Sequence, residues 1–463
     1  MRTIPKEQWP EWIKGLLPNR KNVEVKESNG HYYLYKYKNV WDKRLKRPKK
    51  TVSYLGVLKE RWGRIREHGH IAFLMELLSR HRIVKALKKH FPYEWRELVL
   101  FSLNRLIYPS PLKRMGSWMD KTTLDKYLGI GKIPGKQFSR ILARVGTNTK
   151  GQSGFMRELI EDGELLLYDG SVVHSTSEYN KLIEFGYNKG RLLLPKANIT
   201  LLFSRDRNLP IHFRLFFGSL HEIKTVKAVM EEIKDRDILF IADKGYYKNK
   251  LYEDLNASNI RFILPLPRDD KRINYTKPFA QVFEYHKRII KCNSSYVKPY
   301  YLYQFEDQHL KYVETSHYYR KKIAGKKLKF NEYWAGRIAL LSNKRLGSKE
   351  AYLLWKTRDR IEKAFNVLQN HLETDRPYVS REDVFRGYIF ASFISLLAYY
   401  LVLNLLKRHD VNDRVSVEDV LFEFSKVMVE DRGYPAFAEI PRNAEGLAKK
   451  LEVYDIITKI WES

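Results

Sequence analysis

The order of strands and helices between residues 165 and 266 limits most strongly how this chain can fold. Three apolar runs of strand length come first: LLLYD (165–169), ANITLLF (197–203) and PIHFRLFF (210–217). A helical pattern, HEIKTVKAVMEEIK, then covers residues 221–234. The strand ILFIAD, a short helix and the strand RFILPL follow. Strands that alternate with helices in this way indicate an α/β architecture.

This order is that of a ribonuclease H-like fold, in which the first and fourth strands are parallel neighbours. Asp169 ends the first apolar run, and Asp243 ends the fourth. Functional groups collect at this edge of parallel sheets, so we expect the two carboxylates to lie side by side. Adjacent carboxylates repel each other, and a divalent cation between them removes that conflict. The strand order therefore predicts a metal site.

A third ligand is expected from a helix that packs across the same edge, and residues 353–372 supply one. At about 100° per residue, a buried stripe is predicted for Leu354, Ile361, Phe365, Leu368 and Leu372. Glu362 lies at the border of this stripe, with Arg358 one turn before it. An ordinary amphipathic helix with an Arg358–Glu362 surface pair is the alternative, and the helix taken alone favours it.

Three segments in this order, LLLYDGS, IADKGYY and RDRIEKAF, resemble the DDE transposases of prokaryotic insertion sequences. The segment around Glu362 resembles the Tyr–x2–Arg–x3–Glu–x6–Lys signature of the insertion-sequence-four superfamily. The resemblance extends over roughly residues 30–407 and includes a β insertion before the glutamate. It implies that Asp169, Asp243 and Glu362 form the catalytic, metal-binding triad and that Arg358 is the signature arginine.

The chain departs from that signature at two positions. Trp355 stands at the tyrosine position and Gln369 at the lysine position. The resemblance implies that side chains at these positions hold phosphates of the transposon end. Trp355 can still stack or donate one hydrogen bond, whereas Gln369 lacks the charge. Lys244 and Tyr246 follow the second aspartate, and either face DNA or belong to a turn around Gly245.

The charge of the chain indicates a polyanionic partner. Its formal net charge is +31, from 85 Lys and Arg against 54 Asp and Glu. Either nucleic acid or an acidic membrane surface would fit, and we favour nucleic acid. Residues 31–58 read as a hairpin with a basic loop, which either contacts DNA or is simply solvated. Its candidate DNA-binding residues are Lys43, Arg44, Lys46 and Arg47.

The resemblance implies cut-and-paste transposition by cleavage at the element ends and strand transfer into target DNA. Two Mg²⁺ ions per active site are expected, with Mn²⁺ as a substitute, because two metal ions can stabilise both the attacking and the leaving oxygen and Mg²⁺ suits a site made of few carboxylates. The expected partners are terminal inverted repeats, target DNA and a second copy of the chain in a synaptic homodimer. The expected location is the cytoplasm of a prokaryote, on the nucleoid. A catalytically inactive transposase-derived DNA-binding protein and a ribonuclease H-like DNA nuclease are the alternatives.

The 463 residues are too many for one ordinary core, so we predict several structural units. The single cysteine excludes an intramolecular disulfide, and the N-terminal residues have no apolar signal core. The apolar stretch 388–406 is predicted to be a buried core helix, and no membrane partner is expected. The predicted fold is a ribonuclease H-like α/β core with a β-rich insertion and an N-terminal β-hairpin plus helical DNA-binding region. The boundaries are 1–60 (hairpin region), 61–160 (helical DNA-binding region), 161–267 (first segment of the core), 268–335 (insertion), 336–407 (second segment of the core) and 408–463 (C-terminal helical region).

Overall fold

The computed structural model describes most of the chain and divides it into two compact units. The described residues are 1–17, 21–42, 46–58, 64–131, 133–175, 177, 179–185, 195–219, 229, 239–242, 251–325, 330–374, 377, 379–431 and 435–460. The first unit comprises Met1–His81, Lys113–Gly135 and Leu405–Ser463. The second comprises Arg82–Leu112 and Lys136–Asn404.

The N-terminal residues form an antiparallel sheet of the order β1-β2-β3-β4. Its strands are β1 (Arg2–Ile4), β2 (Val23–Ser28), β3 (His31–Asp42) and β4 (Arg47–Leu58). The helix α1 (Glu11–Leu16) contributes Ile13 to a small core with Trp9, Val25 and Leu34. The predicted hairpin is therefore confirmed as β3 and β4, which pair from Tyr32↔Leu58 to Asp42↔Arg47.

Residues 69–159 are largely helical, as the sequence pattern predicted, and the strand β5 (Arg64–Glu67) precedes them. The helices in this segment are α2 (Gly69–Arg80), α3 (Ile83–His90), α4 (Trp95–Ile107), α5 (Met115–Lys121), α6 (Leu124–Leu128), α7 (Gly135–Thr147) and α8 (Thr149–Leu159).

A mixed sheet forms the centre of the second unit. Its first five described strands are β6 (Leu166–His174), β7 (Lys196–Ser204), β8 (Leu209–Phe216), β9 (Leu239–Ile241) and β10 (Arg261–Pro265). They lie in the order β8-β7-β6-β9-β10. β6 is parallel to β9, and β9 is parallel to β10, whereas β7 is antiparallel to both of its neighbours. The helix α9 (Leu251–Ala257) precedes β10, and the helix predicted at 221–234 lies outside the described residues apart from Val229.

The same sheet continues beyond β10 through antiparallel strands in the order β14-β13-β12-β11. These are β11 (Gln281–Tyr285), β12 (Arg288–Val297), β13 (Tyr300–Asp307) and β14 (Arg337–Ser342). A helix, α10 (Gln308–Ile323), covers residues 311–320, so the strand-like reading of that segment is wrong. Asp307 explains the change, because its side chain accepts a hydrogen bond from the Leu310 amide (3.0 Å) and caps the helix.

The helix predicted over residues 353–372 is interrupted. It consists of α11 (Ser348–Lys356), α12 (Asp359–Asn366) and a π-helical turn (Val367–His371). The Thr357 hydroxyl donates to the Leu354 carbonyl (2.5 Å), and the Arg358 amide bonds three residues back, to Trp355 (3.2 Å). These local bonds compete with the regular helix pattern. The predicted stripe is nevertheless confirmed, since all its members are buried: Leu354, Ile361, Phe365, Leu368 and Leu372.

The long apolar helix α13 (Glu382–Arg408) lies in the protein interior, as predicted for residues 388–406. It is long and apolar enough to cross a membrane, but 78% of its most apolar 18-residue window is buried inside the protein. Phe390 shows why. Its ring lies 5.1 Å from that of Phe91, 5.5 Å from Phe155 and 6.3 Å from Phe213, measured between ring centres.

The C-terminal residues contain strands as well as the predicted helices. The elements are α14 (Val417–Ser425), β15 (Met428–Asp431), β16 (Pro435–Glu439), α15 (Arg442–Lys450) and α16 (Tyr454–Ile457). β15 pairs with β16 and with β5, far away in sequence. Pairing between β5 and β15 leaves no local sequence pattern, which explains why these two strands were missed. β16 was missed although its partner β15 is close in sequence.

Candidate active site

Asp169 lies in the middle of β6 and not at its end. The strand continues for five residues, to His174, and Asp169 is paired with Leu201 of β7. The apolar run ends at Asp169, but residues 171–174 pair with β7 as far as Lys196 and keep the chain extended. The Asp169 side chain is half-buried, and its Oδ1 accepts from the Gly170 amide at 2.8 Å.

The strand that leads to Asp243 lies next to β6 and runs in the same direction. Leu167 of β6 is paired with Ile241 of β9. Behind this pair, the Tyr168 and Phe240 rings are fully buried with centres 5.1 Å apart. The predicted parallel contact between the first and fourth strands is thus present. Asp243 itself lies outside the described residues, as do Lys244 and Tyr246.

Glu362 projects from α12, which packs against β6 and β7. Ile361 and Phe365 are buried, while half of the Glu362 side chain is exposed (50%). Glu362 therefore lies at the border between core and solvent, as its sequence position predicted. Its Oε1 is 2.5 Å from Arg358 Nη2, and the Arg358 side chain is only 16% exposed.

Gln369 fastens the helical segment that carries Glu362 to the strand that carries Asp169. Its Nε2 donates to Ser171 Oγ (2.9 Å) and to the Val172 carbonyl (2.8 Å). Gln369 belongs to the π-helical turn after α12, a feature that is frequent at functional sites. The sequence suggested DNA contact for this residue, and its described hydrogen bonds are internal. The partnership with Ser171 was missed because it joins residues 198 positions apart.

Trp355 is partly buried near the end of α11, and its indole nitrogen has no hydrogen-bond partner among the described groups. The Lys356 ammonium lies 4.7 Å from the centre of the Trp355 ring. Burial lowers the pKa of Lys356, because the charged form loses water. The sequence did not single out Lys356, since no periodicity marks a partly buried lysine. It adds a cation next to the signature residues.

The predicted basic hairpin residues are separated in sequence from these carboxylates and lie in the first unit. Arg47 is the first residue of β4 and Lys46 precedes it, and both are exposed. Lys43 and Arg44 lie outside the described residues. The predictions of DNA contact at these four residues remain predictions.

Asp169 and Glu362 carry carboxylate oxygens, which are the protein ligands that hard cations such as Mg²⁺ prefer. Asp169 and Glu362 are both at least partly accessible. Among the described residues, no group of three or more His, Cys, Asp or Glu side chains is arranged to hold a metal ion. The third member of the predicted triad is outside that set.

Comparison with known proteins identifies the family. The family model described as the transposase DDE domain matches residues 161–398, which include Asp169, Asp243 and Glu362. A solved structure of similar shape is the piggyBac transposase, in a cryo-electron-microscopy structure of its synaptic complex with hairpin DNA. The identity is 10% and the TM-score 0.40, over 71% of this chain and 69% of that chain. No curated protein matches the chain. Because the family model covers half of its length, the chain belongs to the transposase DDE domain family.

Proposed function

We propose that this transposase catalyses metal-dependent cut-and-paste transposition, as an insertion-sequence-four-type enzyme of a prokaryote. In this proposal the central sheet is a ribonuclease H-like core, and β11 to β13 with α10 form its insertion. The observation that carries the proposal is the parallel pair Leu167↔Ile241. Asp169 and Asp243 each follow a member of this pair by two residues. Continuing the register by two residues would make them neighbours on one face of the sheet.

Asp169, Asp243 and Glu362 would hold the metal ions, which we propose to be two Mg²⁺ with Mn²⁺ as a substitute. When bound, such ions stabilise the attacking and leaving oxygens of a phosphodiester. A metal ion bound by Glu362 would compete with Arg358 for the negative charge of this carboxylate, which lies 2.5 Å from Arg358. The Arg358 guanidinium would then be able to hold a DNA phosphate as well.

The chain would first position water to attack a phosphodiester at each element end. This attack forms one P–O bond to the water oxygen and breaks the P–O bond to the 3′ oxygen, which takes up a proton and is freed as a 3′-hydroxyl. That hydroxyl would then attack a target phosphodiester, forming one P–O bond and breaking another. Gln369 supports this geometry by fixing the α12 segment to β6. Trp355, Lys244 and Tyr246 remain proposed DNA contacts, and the two ends would be held by a homodimer on the nucleoid in the cytoplasm.

The test is a cleavage and joining assay with the purified chain, Mg²⁺ and DNA that carries the ends of its own element. We expect cleaved and joined products, which disappear with Asp169→Asn, with Asp243→Asn or with a chelator. Asp413→Asn, at an exposed carboxylate outside residues 161–398, is the matched control and should retain activity.

The products also separate the two alternatives. Cleavage without joined products would indicate a nuclease. A wild-type chain that binds DNA but never cleaves it would indicate an inactive DNA-binding protein. Cleavage that survives Asp243→Asn would show that the proposed active site is wrong.

A further inference from the structure

The β3–β4 hairpin extends beyond the sheet to which it belongs. β2 pairs with β3 only as far as Val23↔Lys36. From Tyr37↔Val52 to Asp42↔Arg47, β3 and β4 form a two-stranded ribbon with no third strand among the described residues. At about 3.4 Å per residue, the six pairs give a length of roughly 20 Å. We call residues 37–42 and 47–52 the β-ribbon.

The β-ribbon has no core of its own. Val40 is 49% exposed, Trp41 is 62% exposed and Val52 is 37% exposed. A two-stranded hairpin is marginally stable in water when nothing covers it. A partner that covers one of its faces would stabilise the β-ribbon, so we interpret it as a binding element.

The two faces of the β-ribbon differ in charge, because alternate residues of a strand point to opposite sides. One face, counted from Lys36 at its base, holds the register positions of Lys36, Lys38 and Asp42 from β3 and of Arg47 and Lys49 from β4. The pairs Lys36↔Ser53, Lys38↔Thr51, Val40↔Lys49 and Asp42↔Arg47 place them there. It therefore has four basic positions and one acidic position, and we call the four basic residues the basic face. They are exposed, and no described carboxylate side chain forms an ion pair with any of them.

The opposite face carries aromatic residues and a cation that is already neutralised. Lys50 forms an ion pair with Glu24, and its ammonium lies 4.6 Å from the centre of the Tyr37 ring. Glu24 is also 3.3 Å from Lys26, and only 8% of its side chain is exposed. These contacts tie this face of the β-ribbon to β2. Within the two strands of the β-ribbon, the cations that have no described ion pair therefore lie on the basic face.

We propose that the basic face binds the phosphate backbone of duplex DNA and does so without regard to sequence. Between Lys36 and Lys50 the sequence has eight basic residues and one acidic residue, so the complementary partner is a polyanion. A second copy of the chain on this face would meet the same charges and be repelled. The inference rests on the proposed function, in which the substrate is DNA.

Lys49→Gln and Lys50→Gln provide the test, because they are adjacent, remove the same charge and lie on opposite faces. Binding of the full-length chain to a generic duplex is measured by fluorescence anisotropy between about 50 and 200 mM salt, without Mg²⁺. We expect Lys49→Gln to reduce the slope of log affinity against log salt by about 0.9. Lys50→Gln should leave the slope unchanged.

Replacing all four basic-face residues with Gln should reduce the slope by about 3.6, four times the effect of one phosphate contact. A melting temperature close to that of the wild type shows that each variant is folded, which the exposure of these residues leads us to expect. Equal slopes for Lys49→Gln and Lys50→Gln would overturn the inference. So would binding to anionic phospholipid vesicles that depends on Lys49 when duplex binding does not.

The failure of this inference can be distinguished from that of the proposed function. Equal slopes for the two variants of a chain that still cleaves and joins element ends would refute the role of the basic face in DNA binding and leave the proposed function intact. If the wild-type chain does not bind DNA at all, both the inference and the proposed function are refuted. If the salt slopes of Lys49→Gln and Lys50→Gln differ as expected but the chain never cleaves DNA, the inference is supported and the proposed function is refuted.

Discussion

The central sheet and the β-ribbon are both built from β-strands but are held in place by different forces. Leu167, Tyr168 and Phe240 of the sheet are completely buried. The β-ribbon buries almost nothing and keeps its shape through strand pairing and the Glu24–Lys50 ion pair. Burial gives the sheet the rigidity that an active site needs, whereas exposure leaves the β-ribbon free to meet a large partner.

The largest expected difference between the two regions is in stability. Phe390→Ala removes a ring that packs among Phe91, Phe155 and Phe213 behind the central sheet. We expect it to lower the free energy of unfolding by about 3–5 kcal/mol. Val52→Ala in the β-ribbon should change it by less than about 0.5 kcal/mol. Urea titrations followed by circular dichroism check both values. Equal losses in the free energy of unfolding for the two variants would contradict the difference between the central sheet and the β-ribbon.

The second prediction concerns activity. Glu362→Gln keeps the shape of the side chain and removes the charge of a proposed metal ligand. Since Glu362 is half exposed, folding should be unaffected, while strand cleavage should fall at least about 100-fold. Cleavage rates and melting temperatures are measured together. DNA binding by this variant should equal that of the wild type, and unchanged cleavage would contradict the proposed role.

The third prediction tests the link between the α12 segment and β6. Gln369→Glu replaces the donor to Ser171 and Val172 with an acceptor. The Ser171 hydroxyl can rotate and donate to the new carboxylate, whereas the Val172 carbonyl can only accept. We expect a loss of about 1–3 kcal/mol in the free energy of unfolding, measured by urea titration, because the hydrogen bond to Val172 is replaced by a contact between two acceptors. Asn366→Asp, on the exposed side of α12, is the matched control and should cost less than about 0.5 kcal/mol. Equal losses in both variants would show that the link is unimportant.

The smallest expected effect lies at the base of the β-ribbon. The hydrogen bond from Lys50 lowers the pKa of Glu24 below its ordinary value of 4.5. The folded protein therefore keeps this carboxylate ionised at a pH where the unfolded chain takes up a proton. The resulting stability is complete above about pH 4.5 and is lost as the pH falls through the lower, folded value.

Because Lys50 is half exposed, we expect this contribution to be below about 1 kcal/mol. Melting temperatures of the wild type and Glu24→Gln, measured from about pH 7 to pH 3, check it. The difference between the two proteins should shrink as the pH falls. A difference that is constant over this range would show that the ionised pair does not contribute.

Local patterns were sufficient for much of the fold. The buried stripe from Leu354 to Leu372, the β3–β4 hairpin and the core position of residues 388–406 followed from periodicity and composition. The prediction of strands at residues 311–320 was wrong. The Asp307 side chain caps the start of the helix α10, and this contact outweighed the weak alternation of polar and apolar residues. The end of β6 was misplaced at Asp169, because pairing with β7 extends the strand beyond the end of the apolar run.

The sequence by itself determined the strands β6 to β10 of the central sheet, the position of Glu362 on its helix and the basic character of the hairpin. These features depend on neighbours in the chain, and a single sequence contains them. Tertiary structure alone decided that Gln369 binds Ser171, that β5 pairs with β15, and that Lys49 and Lys50 differ in their partners. Each of these depends on contacts between distant residues, and no local preference encodes which distant group will be near.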